Sequence, residues 1–178
     1  MRLLKRSLIF TGVCAAIFFI GGHILPDTYS VSRSTVIEAP DSVVFNNVVN
    51  FKNFLKWNPW TRIEPDAPVA ITGLAAAPGH LYRWDGKEVG KGRMQIQEVK
   101  PYSAADFQLT FEEPFTREAQ NHFSFEKAEQ GIKVTWTMQG QSDSSVDRWM
   151  YLTMDNMIGK DFDSGLEYLK ELSEKSIN

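Results

Sequence analysis

The chain has 178 residues, enough for one domain with a real core and short for two. Apolar residues make up 43% and charged residues 23%, ordinary globular values, and a net charge of -3 argues against nucleic acid, which calls for a basic face. One folding unit without a polyanion partner is expected.

The chain opens on MRLLKR, so that Arg2, Lys5 and Arg6 precede the uncharged block LIFTGVCAAIFFIGGHIL from Leu8 to Leu25. Its length just spans a bilayer. Residues 1–25 are therefore expected to form a cytoplasmic basic cap and a transmembrane segment, with the membrane contacted through residues 8–25. By the positive-inside tendency, residues 26–178 lie on the periplasmic or extracytoplasmic side, in a single-pass protein. A cleaved signal peptide is the rival reading. The apolar run exceeds the usual h-region of about 7–15 residues, and Ile20-Gly21-Gly22 imitates a small-x-small cleavage site poorly, which favours an uncleaved anchor. Cys14 sits mid-span without a lipid-attachment box and reads as a small apolar residue. Beyond residue 26 there is no cysteine, so the core must suffice without a disulfide.

Tyr29 to Ile37 alternates and is rich in β-branched residues, which predicts a strand with Val31 and Arg33 on one face. Ala39-Pro40-Asp41 starts a helix in which Val44, Phe45, Val48 and Val49 recur at helical spacing. A second helical piece runs from Phe51 to about Leu55, and Asn58-Pro59 ends it. Period-two patterning then predicts strands near Val69 to Thr72, Leu81 to Trp84, Gly92 to Val99, Ala105 to Phe111, Glu118 to Phe125 and Ile132 to Met138. Phe107, Leu109 and Phe111 share one face, as do Val134, Trp136 and Met138, so each of these strands has one dry side. From about Val146 to Lys175 the spacing returns to helical. Met150, Met154, Met157, Ile158, Phe162, Leu166, Leu169 and Leu172 form one apolar stripe. Strands joined by short turns are antiparallel, and a one-sided sheet with helices on its dry face is an α+β layer arrangement.

This element order, with the strand-helix entry VIEAPDSVVF, the turn FLKWNPW, the run GKGRMQIQEVKPYSAADFQLTF, the strand GIKVTWTMQG and the closing MIGKDFDSGLEYLKELSE, resembles the SRPBCC superfamily of START-like and polyketide-cyclase-like lipid-transport domains. The match spans about Tyr29 to Glu174. The resemblance implies the helix-grip fold, a curved antiparallel sheet of about seven strands wrapped around a long C-terminal helix, with two short helices after strand one. It also implies a hollow between helix and sheet, open near the short helices. The superfamily carries no universal catalytic signature, so function follows only by analogy. The amino-terminal transmembrane helix is an addition to that fold.

The candidate ligand-binding residues are Trp57, Trp60, Arg83, Trp84, Trp136, Met150, Met154 and Met157. Trp57 and Trp60 either gate the hollow, where one ring stacks on a ligand, or plug the end of the sheet as core. The methionines either line a promiscuous pocket or pack as ordinary core. Trp84 and Trp136 need partners for their indole N–H groups if buried, and so offer donors to a ligand. Arg83, pointing inward, would need a carboxylate from the protein or from a ligand. His122 lies beside Phe123 and Phe125 on the strand, which places it on the wet face. His80 follows Gly79 in a turn, Glu112, Glu113 and Glu118 read as solvated turn residues, and Lys87 and Lys91 belong to an exposed hairpin turn. Two scattered histidines without an exported cysteine suggest no metal site, and no cofactor is implied. The expected function is binding of a hydrophobic small molecule or lipid in an internal cavity, without catalysis. The alternatives are a cyclase- or dehydratase-type enzyme, and a partner-binding envelope module whose core is filled.

Overall fold

The structure, a computed structural model, describes residues 2–175. Met1 and residues 176–178, the outer ends of the two expected segments, lie outside the described residues. An apolar helix α1 (Arg2–Ile24) leads into strand β1 (Thr28–Ile37) and three short helices, α2 (Asp41–Val49), α3 (Phe51–Trp57) and α4 (Pro59–Ile63). Six strands follow: β2 (Val69–Thr72), β3 (Leu81–Asp85), β4 (Lys91–Lys100), β5 (Ala104–Glu113), β6 (Arg117–Lys127) and β7 (Ile132–Gln141). Helices α5 (Ser145–Tyr151) and α6 (Met154–Lys175) complete the described chain.

The strands form one antiparallel sheet in the order β1-β7-β6-β5-β4-β3-β2. Short turns join β2 through β7 in sequence, while β1 pairs with β7 across the whole chain, Val31 opposite Met138. Register shifts between Lys91 and Gly92 and between Ile96 and Glu98 interrupt the β4–β5 ladder. Such bulges bend a strand and increase its twist, so they curve the sheet. Alternation then assigns the dry face as expected: Phe107, Leu109, Phe123, Phe125, Val134, Trp136 and Met138 are all buried.

Two layers result, with α2, α3, α4 and α6 covering the dry face. Helix α6 buries Phe162, Leu166 and Leu169 against the sheet, and α2 buries Val44, Phe45, Val48 and Val49. At Gly165 the helix approaches so closely that a Cβ would lie 3.1 Å from both Pro59 and Trp136. At Gly159 a Cβ would run into the guanidinium of Arg33, which donates to Asp155 at 2.8 Å.

Two expectations are corrected. The continuous helix expected from Val146 is broken at Leu152-Thr153, where the Thr153 hydroxyl donates to the Met150 carbonyl at 2.8 Å. Separating α5 from α6 lets α5 leave the sheet and pack on α1. FLKWNPW, expected as an irregular proline-fixed turn, holds two helical pieces instead. Pro59 occupies the first position of α4, where its missing N–H costs nothing, and the Asn58 side chain caps that helix by accepting from the Trp60 N–H at 3.3 Å.

Candidate functional site

Between α4, α6 and the curved sheet lies a cavity of about 290 Å³. Its wall is mainly apolar, with Phe54, Tyr82, Trp84, Met94, Leu109, Phe111, Trp136, Met138 and Ile158 on the inside and Leu55, Trp60, Pro65, Ala67, Val69 and Val89 toward the α4 side. The hollow exists because a straight helix cannot follow a bent sheet along its whole length, and the gap is lined by the large side chains of both. The registers place it at one end of the sheet. Trp84, Phe111 and Met138 stand near the β3–β4 turn, the β5–β6 turn and the end of β7, which is also where β1 begins and α1 joins the domain.

Three of the expected tryptophans meet at this cavity. Trp136 forms its floor, stacked on Phe162 with centroids 3.9 Å apart and on Phe123 at 5.1 Å. Trp60 is half-buried and meets Trp136 edge-on at 5.9 Å. Trp84 is half-buried too, stacked on Tyr82 at 5.3 Å. Burial pushes the Tyr82 hydroxyl up to about 12, so it stays protonated at any physiological pH.

The other expected residues stand elsewhere. Trp57 is fully buried behind Trp136, and its indole N–H donates to the Asn47 carbonyl at 2.8 Å, so it is core. Arg83 points out of the sheet, because its neighbours Tyr82 and Trp84 take the inward positions; it lies 3.7 Å from Glu112, which Arg93 also holds at 2.8 Å. Met154 packs half-buried against the core, whereas Met150, on α5 where it turns away from the sheet, and Met157, on α6, are exposed. His122 faces outward as expected and lies 2.6 Å from Asp106. His80 lies in the turn before β3 as expected and is buried there, accepting at Nε2 from the Phe51 N–H at 3.3 Å while Nδ1 faces the Thr72 carbonyl at 3.0 Å. Its ring also stacks on Phe51 at 4.6 Å.

Four polar residues on the cavity wall were not singled out from the sequence: Asn58, Thr61, Glu64 and Asn121. Asn121 is buried in the floor. Its carboxamide oxygen accepts from the Trp136 N–H at 3.2 Å, and its NH₂ has the sulfur of Met94 at 3.6 Å. It lies two residues before Phe123, so the alternation that put His122 outside also puts Asn121 inside. The Thr61 hydroxyl is buried without a hydrogen-bond partner. Glu64 reaches across the mouth to the β3–β4 turn, accepting from the backbone N–H groups of Lys87 at 3.0 Å, Glu88 at 2.9 Å and Val89 at 3.3 Å. Those bonds, led by that from Lys87, hold its carboxyl below the usual carboxylate range. The turn expected to be merely exposed is thus tied to α4. Among the described residues no group of His, Cys, Asp and Glu side chains could hold a metal ion.

Solved structures share this architecture at low identity. A protein from Mycobacterium smegmatis, Ms6760, aligns with a TM-score of 0.57 at 18% identity over 82% of this chain and 91% of its own. The Aha1 dimer from Colwellia psychrerythraea aligns at 0.58 and 17% over 82% and 96% respectively. The di-domain ARO/CYC BexL from the BE-7585A biosynthetic pathway aligns at 0.58 and 14% over 97% of this chain and 60% of its own. At such identities the likeness shows the fold. No curated protein matches the chain. The family described as polyketide cyclase / dehydrase and lipid transport matches residues 28–174, from the first residue of β1 to the last turn of α6, and the chain belongs to that family, which is of the SRPBCC type.

Proposed function

We propose that this protein binds a hydrophobic small molecule or lipid in the cavity between α4, α6 and the sheet, without chemistry of its own, and that α1 holds it in a membrane. The observation that carries this reading is the wall itself: an open, aromatic and aliphatic hollow of about 290 Å³ in which a few polar groups can orient a ligand. The wall contains no histidine, and its one carboxylate, Glu64, is engaged by three backbone N–H groups. A proton-transfer catalyst needs a group able to change its protonation state near the working pH, and neither Glu64 nor the raised Tyr82 is such a group. An unfilled hollow also argues against a solid partner-binding module.

The runner-up is a cyclase- or dehydratase-type enzyme. The family description and the likeness to an ARO/CYC protein favour it, together with the Asn121 carboxamide and the unpartnered Thr61 hydroxyl, which can hold carbonyl oxygens in an otherwise apolar wall.

Residues 1–25 form the anchor segment in this proposal and 26–178 the binding domain, with Lys5 and Arg6 on the cytoplasmic side and the domain across the membrane. Helix α1 is long and apolar enough to span, and only 6% of its most apolar stretch is buried in the protein. Native mass spectrometry of the full chain released from detergent tests the binding function. The expected result is a bound apolar mass that disappears in Met138→Trp, which fills the cavity floor. Absence of any bound species in the unsubstituted protein, after exposure to a lipid extract, overturns the reading.

A further inference from the structure

Helix α1 does not stand clear of the domain. Helix α5 crosses its last turns at Gly21-Gly22, the pair that imitates a cleavage site in sequence. A Cβ on Gly22 would press into Ser145 and one on Gly21 into the ring of Trp149, so the two glycines form a notch for α5. There the Trp149 indole N–H donates to the Phe18 carbonyl at 3.0 Å, and the two rings stack with centroids 5.8 Å apart. The Arg148 guanidinium donates to the carbonyls of His23 at 3.1 Å and Leu25 at 3.4 Å, satisfying acceptors that the end of a helix leaves open. On its other side α5 is tied to the sheet, because Asp147, only 4% exposed, accepts from Arg117 at 2.7 Å and from the Ser142 hydroxyl at 2.6 Å. Burial alone would raise that carboxyl, but the bonds from Ser142 and Arg117 outweigh it and hold the group ionised.

The rest of α5 and its corner with α6 present apolar side chains to the outside. Val146, Leu152 and Met157 are 57%, 55% and 56% exposed, and Met150 is also exposed. Isolated exposed apolar residues are ordinary, but Val146 lies one helical turn from both Trp149 and Met150 on α5, and the Phe18–Trp149 stack joins that turn to the exposed apolar surface of α1. Whatever medium covers α1 therefore reaches them. Phe18 lies seven residues before Leu25. At 1.5 Å per residue that is about 10 Å of helix, comparable with the roughly 5–10 Å to which an interfacial helix sinks into a leaflet. Tryptophan with one polar edge is suited to that depth.

We propose that α5 and the α5–α6 corner are a second bilayer contact, seated in the headgroup–acyl boundary of the leaflet that holds the C-terminal end of α1. The contact rests on the reading of α1 as a helix retained in the membrane. It holds the cavity end of the sheet against the lipid. The charged residues of the segment 143–160, Asp143, Asp147, Arg148, Asp155 and Lys160, are of mixed sign, so the contact is apolar and does not require anionic lipid.

The test uses the full chain with Cys14→Ser, reconstituted in phosphatidylcholine vesicles and carrying one bimane-labelled cysteine at Ile17, Val146, Leu152 or Gln130. Quenching is read from acyl-chain nitroxide lipid and from aqueous iodide. Probes at Val146 and Leu152 are expected to lose fluorescence to the lipid nitroxide as the Ile17 probe does, and to resist iodide, while the probe at exposed Gln130, in the β6–β7 turn at the far end of the sheet, does the reverse. The contact is overturned if the Ile17 probe is quenched by lipid but those at Val146 and Leu152 follow Gln130. If the Ile17 probe itself is reached by iodide and spared by lipid, the anchor reading fails, and the contact with it.

Discussion

The indole N–H of Trp136 donates to the carboxamide oxygen of Asn121 at 3.2 Å, joining β7 to β6 in the floor of an otherwise apolar cavity. Replacing Asn121 with Leu orphans that buried donor. The expected cost is about 1–3 kcal/mol, the penalty for a desolvated unpaired group, read as a lower denaturant midpoint at unchanged slope. The same variant should bind carbonyl-bearing apolar probes more weakly than hydrocarbon probes of equal size. Equal loss for both would mean that the carboxamide does not face the ligand.

Glu64 ties the β3–β4 turn to α4 across the cavity mouth through three backbone N–H groups. Its carboxyl is held below the usual range in the folded protein, so the clasp is fully present above the unfolded value and is lost as pH falls through the lowered one. Amide exchange at Lys87, Glu88 and Val89 should therefore accelerate in acid, relative to the sheet interior, and Glu64→Gln should show that fast exchange already at neutral pH.

His80 joins α3 to the turn before β3, with one ring nitrogen on the Phe51 N–H and the other on the Thr72 carbonyl. His80→Ala leaves the buried Phe51 N–H without its partner and removes the stack on Phe51. A loss of about 1–3 kcal/mol or more is expected, because orphaned buried groups keep their full desolvation penalty. Chemical denaturation followed by tryptophan fluorescence measures it; an unchanged midpoint would show that water replaces the ring.

Gly165 lets α6 approach Pro59 and Trp136 to a distance at which a Cβ would stand only 3.1 Å from each. Gly165→Val should cost about 1–3 kcal/mol by overpacking. Because the clash falls on Trp136, the near-ultraviolet circular dichroism of the stacked rings should change along with the unfolding midpoint.

Period-two alternation made the strands legible, since each side chain's face follows from its parity alone. It also sorted His122 outward and Phe123 inward, and the same parity identifies Arg83 as outward from Tyr82 and Trp84. Asn121 was available on the same reasoning, but a polar residue on a dry face is evident only when the neighbouring strands are known to bury it. Thr61 and Glu64 lie on a helix of five residues and just beyond it, too short for periodicity to orient them.

The chain's own pattern thus determined an apolar amino-terminal helix, seven antiparallel strands with one dry face, and a one-sided closing helix, all of which depend on spacing along the backbone. Tertiary structure alone decided that Trp60 lines the cavity while Trp57 lies behind it, that His80 is a buried clip, and that the closing helix breaks at Thr153 so that α5 can meet α1. Each of these depends on which elements cross and how closely. Close packing between residues far apart in sequence sets that distance, and no local periodicity encodes it.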